Sequence, residues 1–242
     1  NKDDPLQVNY VKNNLKNKVK IVWYAVDNKE ASVYAKNIKC SNTGSTFDVV
    51  FKKEDKTVSF ETRLLGRHNI SNILSGLAVG YEFGIPIEKL VMAVKKIKPI
   101  EHRLELKRLG LMYQIDDAYN SNPIGAKVAL EVLDMMPGTK VVVTPGMVEL
   151  GGEEAKLNFE FGTEIASVAD YVILVGEKQT KPIYEGLISK KYKKDNIIIT
   201  NDVREAYTMV NNLKEPKKDI YALFENDLPD TYNESESRKN EN

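Results

Sequence analysis

The second half of the sequence alternates short apolar segments with segments of helical period, and this alternation constrains the fold more than any other feature. The short segments have the length of strands, and the longer ones place apolar residues three and four positions apart. Strands separated by helices in this way predict a mainly parallel sheet that is covered on both faces. The predicted strands are 104–107, 111–115, 140–144, 171–175, 196–199 and 220–224, and the predicted helices are 124–135, 153–168, 181–190 and 203–213.

The first 98 residues carry a different pattern. Residues 57–65 alternate with the two-residue period of a half-buried strand, and Pro86 stands where a helix can begin. Pro99 cannot continue that helix, so we place a domain boundary there. We therefore expect an α/β protein with one domain at 1–98, a Rossmann-like domain at 99–232 and a disordered polar tail at 233–242. Predicted strands in the first domain are 19–26, 33–38, 47–51 and 57–65, and helices are 69–83 and a second that follows Pro86.

The composition excludes several classes of protein. Lys+Arg and Asp+Glu both number 35, so net charge gives no reason to expect nucleic acid as a partner. No apolar run approaches the roughly 18 residues that span a bilayer, and we expect no membrane segment. Cys40 is the single cysteine, which favours a reducing, cytoplasmic location. The chain opens at Asn1 with no signal peptide and no initiator Met, so we expect it to be trimmed from a longer protein. We also expect a monomer.

The string Gly66-Arg67-His68-Asn69-Ile70-Ser71-Asn72 joins a predicted strand to a predicted helix. Asn69 and Asn72 lie three positions apart, and therefore share one face of the first helical turn. Amides in that position can donate to and accept from a ring edge such as a purine. The alternative is that Asn69 caps the helix and His68 is an ordinary surface residue, and spacing alone leaves both interpretations open.

Two further strings surround the start of the second domain. Arg103 in Glu101-His102-Arg103-Leu104-Glu105 could clamp a phosphate, or could pair with a neighbouring glutamate. The string Ile115-Asp116-Asp117-Ala118-Tyr119-Asn120-Ser121-Asn122-Pro123 follows a strand and opens a helix, which is where ligands bind in open α/β sheets. Its carboxylates could take a ribose hydroxyl, a metal or an amine, although Asn122-Pro123 is also typical of a plain helix start.

A fourth string, residues 144–153, has the outline of a phosphate-binding loop without its chemistry. Gly146 and Gly151 have the spacing of G-x-x-x-x-G, but Gly152 and Glu153 stand where Lys and Ser or Thr are required. Because a glutamate cannot replace a cation on a phosphate, we reject that interpretation. A dinucleotide-binding domain is also disfavoured, since no G-x-G-x-x-G turn follows a first strand.

In this order the four strings resemble one family, the Mur ligases. The shared pattern is G-R-H-N-x-x-N, P-x-x-H-R-L-E, D-D-x-Y-N-S-N-P and G-M-x-E-L-G, and the third and fourth elements look like the D-alanyl-D-alanine-adding member. The resemblance implies an ATP- and Mg²⁺-dependent ligase of peptidoglycan precursor synthesis, with a UDP-muramyl peptide and D-alanyl-D-alanine as substrates. The family forms an acyl phosphate on the peptide carboxylate, which the incoming amine then attacks.

The resemblance also implies roles for individual residues. Asn69 and Asn72 would contact adenine with His68 nearby, and Arg103 would reach the ATP phosphates. Asp117 would hold the ribose hydroxyls, so that it and Arg103 are the candidate catalytic residues. The amino substrate would lie against four neighbouring side chains, with no metal ligand among them: Tyr119, Asn120, Ser121 and Asn122.

The departures from the family pattern limit these expectations. The phosphate loop is absent from the 242 residues, as are the UDP-substrate domain and the acidic Mg²⁺ ligands, so we expect a fragment that does not hydrolyse ATP alone. Asn158 stands where the family often has His, and Thr144-Pro145-Gly146 precedes Met147 where an acidic residue is expected. Two alternatives stay open: a Mur-like ligase with another amine acceptor, and a non-catalytic binding module that keeps the fold.

Overall fold

A computed structural model describes residues 1–15, 18–110, 112–213 and 219–226. The chain divides into two compact units, Asn1–Pro99 and Ile100–Asn242. The predicted tail at 233–242 lies outside the described residues. Among the described residues, no helix is both long enough and apolar enough to cross a membrane.

The first unit is a four-stranded sheet with two helices packed on one face. Its strands follow the order β1-β2-β3-β4, with β1 parallel to β2 and the other pairs antiparallel. The elements are α1 (Pro5–Tyr10), a π-helical turn (Val11–Leu15), β1 (Tyr24–Ala25), β2 (Val33–Ser41), β3 (Gly44–Phe51), a 3-10 turn (Lys52–Glu54), β4 (Lys56–Thr62), α2 (Arg67–Glu82) and α3 (Ile87–Lys96).

The predicted hairpin and the two predicted helices of this unit are confirmed, whereas the strand predicted at 19–26 is wrong over most of its length. Only Tyr24 and Ala25 pair with β2. Val19 is 55% exposed, so this apolar segment is not the buried strand that its composition indicates. The core instead lies between β2–β4 and the helices, where Phe51, Ile70 and Leu74 are fully buried.

The second unit is a six-stranded sheet in the order β5-β6-β10-β7-β8-β9. The five strands from β6 to β9 are parallel, and β5 adds an antiparallel edge, as expected for a parallel-rich Rossmann-like sheet. The elements are β5 (Glu105–Leu109), β6 (Met112–Asp117), α4 (Pro123–Asp134), β7 (Thr139–Thr144), a 3-10 turn (Gly151–Glu153), α5 (Glu154–Ile165), β8 (Tyr171–Val175), α6 (Lys181–Ser189), a 3-10 turn (Lys194–Asn196), β9 (Ile197–Thr200), α7 (Val203–Asn212) and β10 (Ile220–Glu225).

Both faces of this second sheet are covered. The consecutive residues Val141, Val142 and Val143 of β7 point to alternate faces, and none is more than 2% exposed. The last strand in sequence, β10, lies between β6 and β7, and all six of its residues are buried. This strand order brings the carboxyl end of β10 against the loops that leave β6 and β7.

Candidate functional site

The carboxyl ends of β6, β10 and β7 form one edge of the second sheet, where an open α/β fold places its ligands. Glu225 of β10 is in register with Asp117 of β6, and Phe224 is in register with Val143 of β7. Two loops start here: the β6–α4 loop (residues 118–122) and the β7–α5 loop (residues 145–150). The predicted site residues of this unit lie along this edge or just before β5.

Asp117 and Arg103 come close together through the segment that precedes β5. The backbone N–H of Leu104 donates to Asp117 Oδ1 at 3.2 Å, and the Arg103 guanidinium lies 4.2 Å from the ring centroid of Tyr119. The alternative pairing of Arg103 with a glutamate is not observed among the described residues, because Glu105 pairs with Lys107 at 3.0 Å. The cation–π contact with Tyr119 therefore positions the guanidinium near Asp117, whose pKa it lowers.

The tandem carboxylates Asp116 and Asp117 lie in different environments. Burial raises the pKa of Asp116, but hydrogen bonds from Lys107 and His102 outweigh it and hold that pKa below its usual value. Lys107 Nζ lies 2.8 Å and His102 Nδ1 3.0 Å from Asp116 Oδ2. For Asp117, burial dominates and raises the pKa to about 6, against the lowering effects of the Leu104 amide and Arg103. Asp116 therefore anchors the β5–β6 pair, and Asp117 is the carboxylate available to a ligand.

The structure separates the four residues that the resemblance assigns to the amino substrate. Tyr119 and Asn120 are exposed on the β6–α4 loop. Ser121 is 7% exposed, and its hydroxyl donates to Glu225. Asn122 is the N-cap of α4, accepting from the Gly125 N–H at 3.0 Å, so the plain helix-start interpretation holds for its side chain.

Glu225 is a residue of this edge that sequence reasoning missed. It is 1% exposed, and its pKa is raised to about 8, chiefly by burial and also by the nearby Asp117 carboxylate. The hydroxyls of Ser121 and Thr144 hydrogen-bond this carboxyl, and its Oε2 has no partner among the described residues. A charged residue directly after the apolar run 220–224 was the signal that could have identified it.

The β7–α5 loop is held by two asparagines. Asn158, at 1% exposure, accepts from the Met147 N–H at 2.9 Å and donates to the Met147 carbonyl at 2.8 Å. Asn226 Nδ2 donates to the Gly146 carbonyl at 2.7 Å. Gly146 has φ +86° and its missing Cβ would lie 2.9 Å from Asn158 Oδ1, so this position requires glycine. The departure at Asn158 therefore has an architectural role.

The predicted adenine contacts lie in the first unit, at the start of α2. Gly66, with φ +78°, occupies the N-cap position, so the proposed capping by Asn69 is wrong. Asn69 Nδ2 instead donates to the Leu65 carbonyl at 2.9 Å, while Asn72 is exposed one helical turn later. His68 is not an ordinary surface residue, because its Nδ1 is buried with no hydrogen-bond partner in the part of the chain that the structure describes, and burial lowers its pKa. A neutral imidazole beside two amides suits an uncharged ring.

Within the described residues, no group of three or more His, Cys, Asp or Glu side chains is placed to hold a metal ion. The donor set at the sheet edge is a single available carboxylate, Asp117, beside a guanidinium. Such a set suits hydroxyl and phosphate groups better than a divalent cation.

Comparison with known proteins agrees with this architecture. Residues 1–80 match the family model described as the Mur ligase middle domain, and residues 102–223 match the Mur ligase, glutamate ligase domain. A UDP-N-acetylmuramoyl-tripeptide--D-alanyl-D-alanine ligase from Buchnera aphidicola is 31% identical over 166 residues, which are 68% of this chain and 35% of that protein. A UDP-N-acetylmuramoylalanine--D-glutamate ligase from Francisella philomiragia is 30% identical over 67% of this chain and 37% of its own length.

Solved structures show the same fold. MurF from Acinetobacter baumannii superposes with a TM-score of 0.76 at 20% identity, covering 98% of this chain and 50% of that one. MurF from Thermotoga maritima, solved in complex with ADP, gives a TM-score of 0.73 at 19% identity, covering 93% of this chain and 48% of that one. The present chain thus spans half or less of the length of the relatives it matches. Two consecutive Mur ligase domain matches, the larger over half of the chain, show that it belongs to the Mur ligase family.

Proposed function

We propose that this chain is the nucleotide- and amine-binding part of an ATP-dependent amide-bond ligase, and that the ligase adds D-alanyl-D-alanine to a UDP-muramyl tripeptide in the cytoplasm. The observation that carries the proposal is that Arg103, stacked on Tyr119, lies close enough to Asp117 to lower its pKa, at the carboxyl edge of the second sheet. The D-alanyl-D-alanine ligase activity named for the Buchnera relative supports the substrate.

The chemistry of the two residues fits a nucleoside triphosphate. With its pKa raised to about 6, Asp117 is mainly ionised at neutral pH and can accept hydrogen bonds from ribose hydroxyls. Arg103 presents two parallel N–H donors, which match phosphate oxygens in a bidentate way. In the family reaction ATP phosphorylates a carboxylate, and Arg103 would help to offset the negative charge that develops on the transferred group.

In the first unit, Asn69 and Asn72 would recognise the adenine ring. Asn69 uses its Nδ2 on the Leu65 carbonyl, and its Oδ1 therefore remains for an exocyclic amine. Asn72, exposed on the same face, can supply both a donor and an acceptor. His68 would contribute a neutral, partly buried surface beside the ring.

Mg²⁺ would neutralise the phosphates during acyl phosphate formation. We assign none of its ligands to the described residues. Because the sequence contains no G-x-x-x-x-G-K-S/T string, we expect this chain to bind nucleotide without turning it over.

The amino substrate would contact the β6–α4 loop chiefly through Asn120, whose side chain is exposed. Ser121 and Asn122 are engaged by Glu225 and by the start of α4, respectively, and would act on the substrate through the backbone of the loop. With fewer side chains free than the family pattern implies, a Mur-type ligase with a different amine acceptor is the second candidate function. The D-glutamate ligase activity of the Francisella relative favours keeping it.

Calorimetric titration with ATP and Mg²⁺ tests the nucleotide half of the proposal. We expect Arg103→Ala to weaken ATP binding by about 10-fold or more, since a charge-assisted bidentate contact is lost. Arg108→Ala is the matched control, because Arg108 also lies over a tyrosine ring, that of Tyr113 at 5.6 Å, but on β5. Equal affinities of these two variants would contradict the assignment of Arg103 to the phosphates.

Titration with D-alanyl-D-alanine tests the amine half. Binding that is weakened by Asn120→Ala would support the dipeptide as substrate. Preferential binding of another amine, such as D-glutamate, would replace the first candidate function with the second. Absence of both nucleotide and amine binding would leave only a non-catalytic module with the Mur ligase fold.

A further inference from the structure

Glu225 ends β10 with a buried carboxyl that contacts both neighbouring strand ends. The Ser121 hydroxyl, on the β6–α4 loop, donates to Glu225 Oε1, and the Thr144 hydroxyl at the end of β7 also hydrogen-bonds the carboxyl. An apolar residue would be the ordinary choice here, because the five preceding residues of β10 are buried and apolar. Core packing therefore does not explain a carboxyl at this position.

The next residue, Asn226, bridges the same two strand ends. Its backbone N–H donates to the Asp117 carbonyl at 3.2 Å, and its Nδ2 donates to the Gly146 carbonyl at 2.7 Å. Asn226 has φ +69°, a left-handed conformation that Asn tolerates better than most residues do. This conformation directs the backbone to β6 and the side chain to the β7–α5 loop.

We propose that Glu225 and Asn226 are positioning residues that fix the β6–α4 loop and the β7–α5 loop relative to each other, and thereby set the affinity for the amino substrate. The substrate named here rests on the proposed function, whereas the positioning of the loops does not. The Glu225 side chain is not needed to form the sheet, because strand pairing with Asp117 uses the backbone, and Asn226 follows the strand.

The proposed effect passes through Ser121. Its side chain is tied to Glu225, which limits the positions open to the adjoining Asn120, an exposed residue with no hydrogen-bonded side chain among the described contacts. Because Glu225 Oε2 is itself inaccessible to solvent, Glu225 does not contact the substrate directly. Substrate affinity would therefore depend on Glu225 as a hydrogen-bond acceptor, and not on its charge.

Amide hydrogen exchange on the full chain tests the positioning without any ligand. Glu225→Leu removes the hydrogen-bond acceptor and replaces it with an apolar side chain of similar size. We therefore expect amide exchange at residues 118–122 and 145–150 to accelerate about 10-fold or more. Glu225→Gln keeps the acceptor oxygen and should remain within about threefold of wild type. The matched control is Glu177→Leu, because Glu177 is an exposed glutamate that follows β8 closely at its carboxyl end.

The variant Asn226→Gly distinguishes the contact with the β7–α5 loop from the contact with β6. Glycine accepts the positive φ and keeps the N–H that bonds the Asp117 carbonyl, so only the contact with Gly146 is lost. We expect faster exchange at 145–150 and unchanged exchange at 118–122. If each loop is as well protected from exchange in Glu225→Leu as it is in wild type, the proposal is overturned.

Calorimetry with D-alanyl-D-alanine then measures the functional consequence. Affinity should fall about 10-fold in Glu225→Leu and be rescued in Glu225→Gln. Loosened loops with unchanged affinity, or a Gln variant as impaired as the Leu variant, would overturn the assignment of a positioning role. If the wild-type chain does not bind the dipeptide, the proposed substrate fails while the exchange result still decides the positioning.

Discussion

The buried carboxyl of Glu225 predicts that the stability of the second unit falls as pH rises. Burial raises the pKa of this carboxyl from 4.5 to about 8, so the folded state keeps a proton that the unfolded state releases. The folded form therefore binds more protons than the unfolded form between those two values, and its stability declines throughout that window. Below pH 4.5 both states are protonated, and the penalty disappears.

The magnitude follows from the linkage between protons and stability. For one proton that only the folded state holds, the free energy of unfolding falls by about 1.4 kcal/mol for each unit by which the pH rises. From pH 5.5 to 7.5, most of that slope applies to Glu225, which gives a loss of roughly 2.5 kcal/mol in the free energy of unfolding. Glu225→Gln removes this group, so its stability should decline less over the same interval by about that amount.

Asp117 acts in the same direction over a lower window, since burial raises its pKa from 3.8 to about 6. Its contribution persists in Glu225→Gln, and the difference between the two proteins therefore isolates Glu225. Tyr192, whose pKa is raised by burial, remains protonated in both states at these pH values and does not contribute.

Hydrogen exchange of core amides in β7, at pH 5.5 and 7.5 and corrected for intrinsic exchange rates, reports the free energy of unfolding of this unit. Glu177→Gln is the matched control, because it makes the same replacement at an exposed glutamate. A wild-type stability that is constant or rises between the two pH values would refute the reasoning. Equal slopes in wild type and Glu225→Gln would do so as well, since both results require an ionised carboxylate in the folded state.

Two further stability predictions use the same exchange measurement. Asn158→Ala should lose about 2–4 kcal/mol, because two buried backbone groups of the β7–α5 loop lose their partner, whereas Lys156→Ala on the same helix should change stability by less than about 0.5 kcal/mol. Gly186→Ala should cost roughly 2 kcal/mol or more, because its Cβ would lie 2.2 Å from the Phe159 carbonyl oxygen, and Gly152→Ala, with nothing within 4 Å, should be nearly neutral. Equal losses within either pair would contradict the contacts assigned to it.

Much of the secondary structure was predictable because hydrophobic period is a local property of the sequence. The strand predicted at 171–175 has those bounds in the structure, and helix 181–190 ends one residue early. The segment 19–26 was wrongly predicted as a full strand, because its apolar composition alone does not indicate whether a neighbouring strand pairs with it.

In the candidate site, too, the features encoded by local sequence were predictable and those that depend on tertiary contacts were not. The string 115–123 follows a predicted strand, which predicts Asp117 at the carboxyl edge of the sheet, whereas Arg103 is predicted only near the start of the second domain. Adjacency in sequence could not distinguish Asp116 from Asp117. That distinction depends on Lys107, which the antiparallel pairing of β5 with β6 brings to Asp116, and on His102 in the segment before β5, which also contacts Asp116.

The sequence by itself determined the family, the types of secondary-structure element and the strings that carry the site, since all three depend on residue order and spacing. Only the tertiary structure decided what Ser121 and Glu225 do, because residues 104 positions apart meet only when β10 inserts between β6 and β7. No local pattern encodes that strand order. It is fixed by which arrangement buries both faces of every strand at once, a property of the packed sheet as a whole.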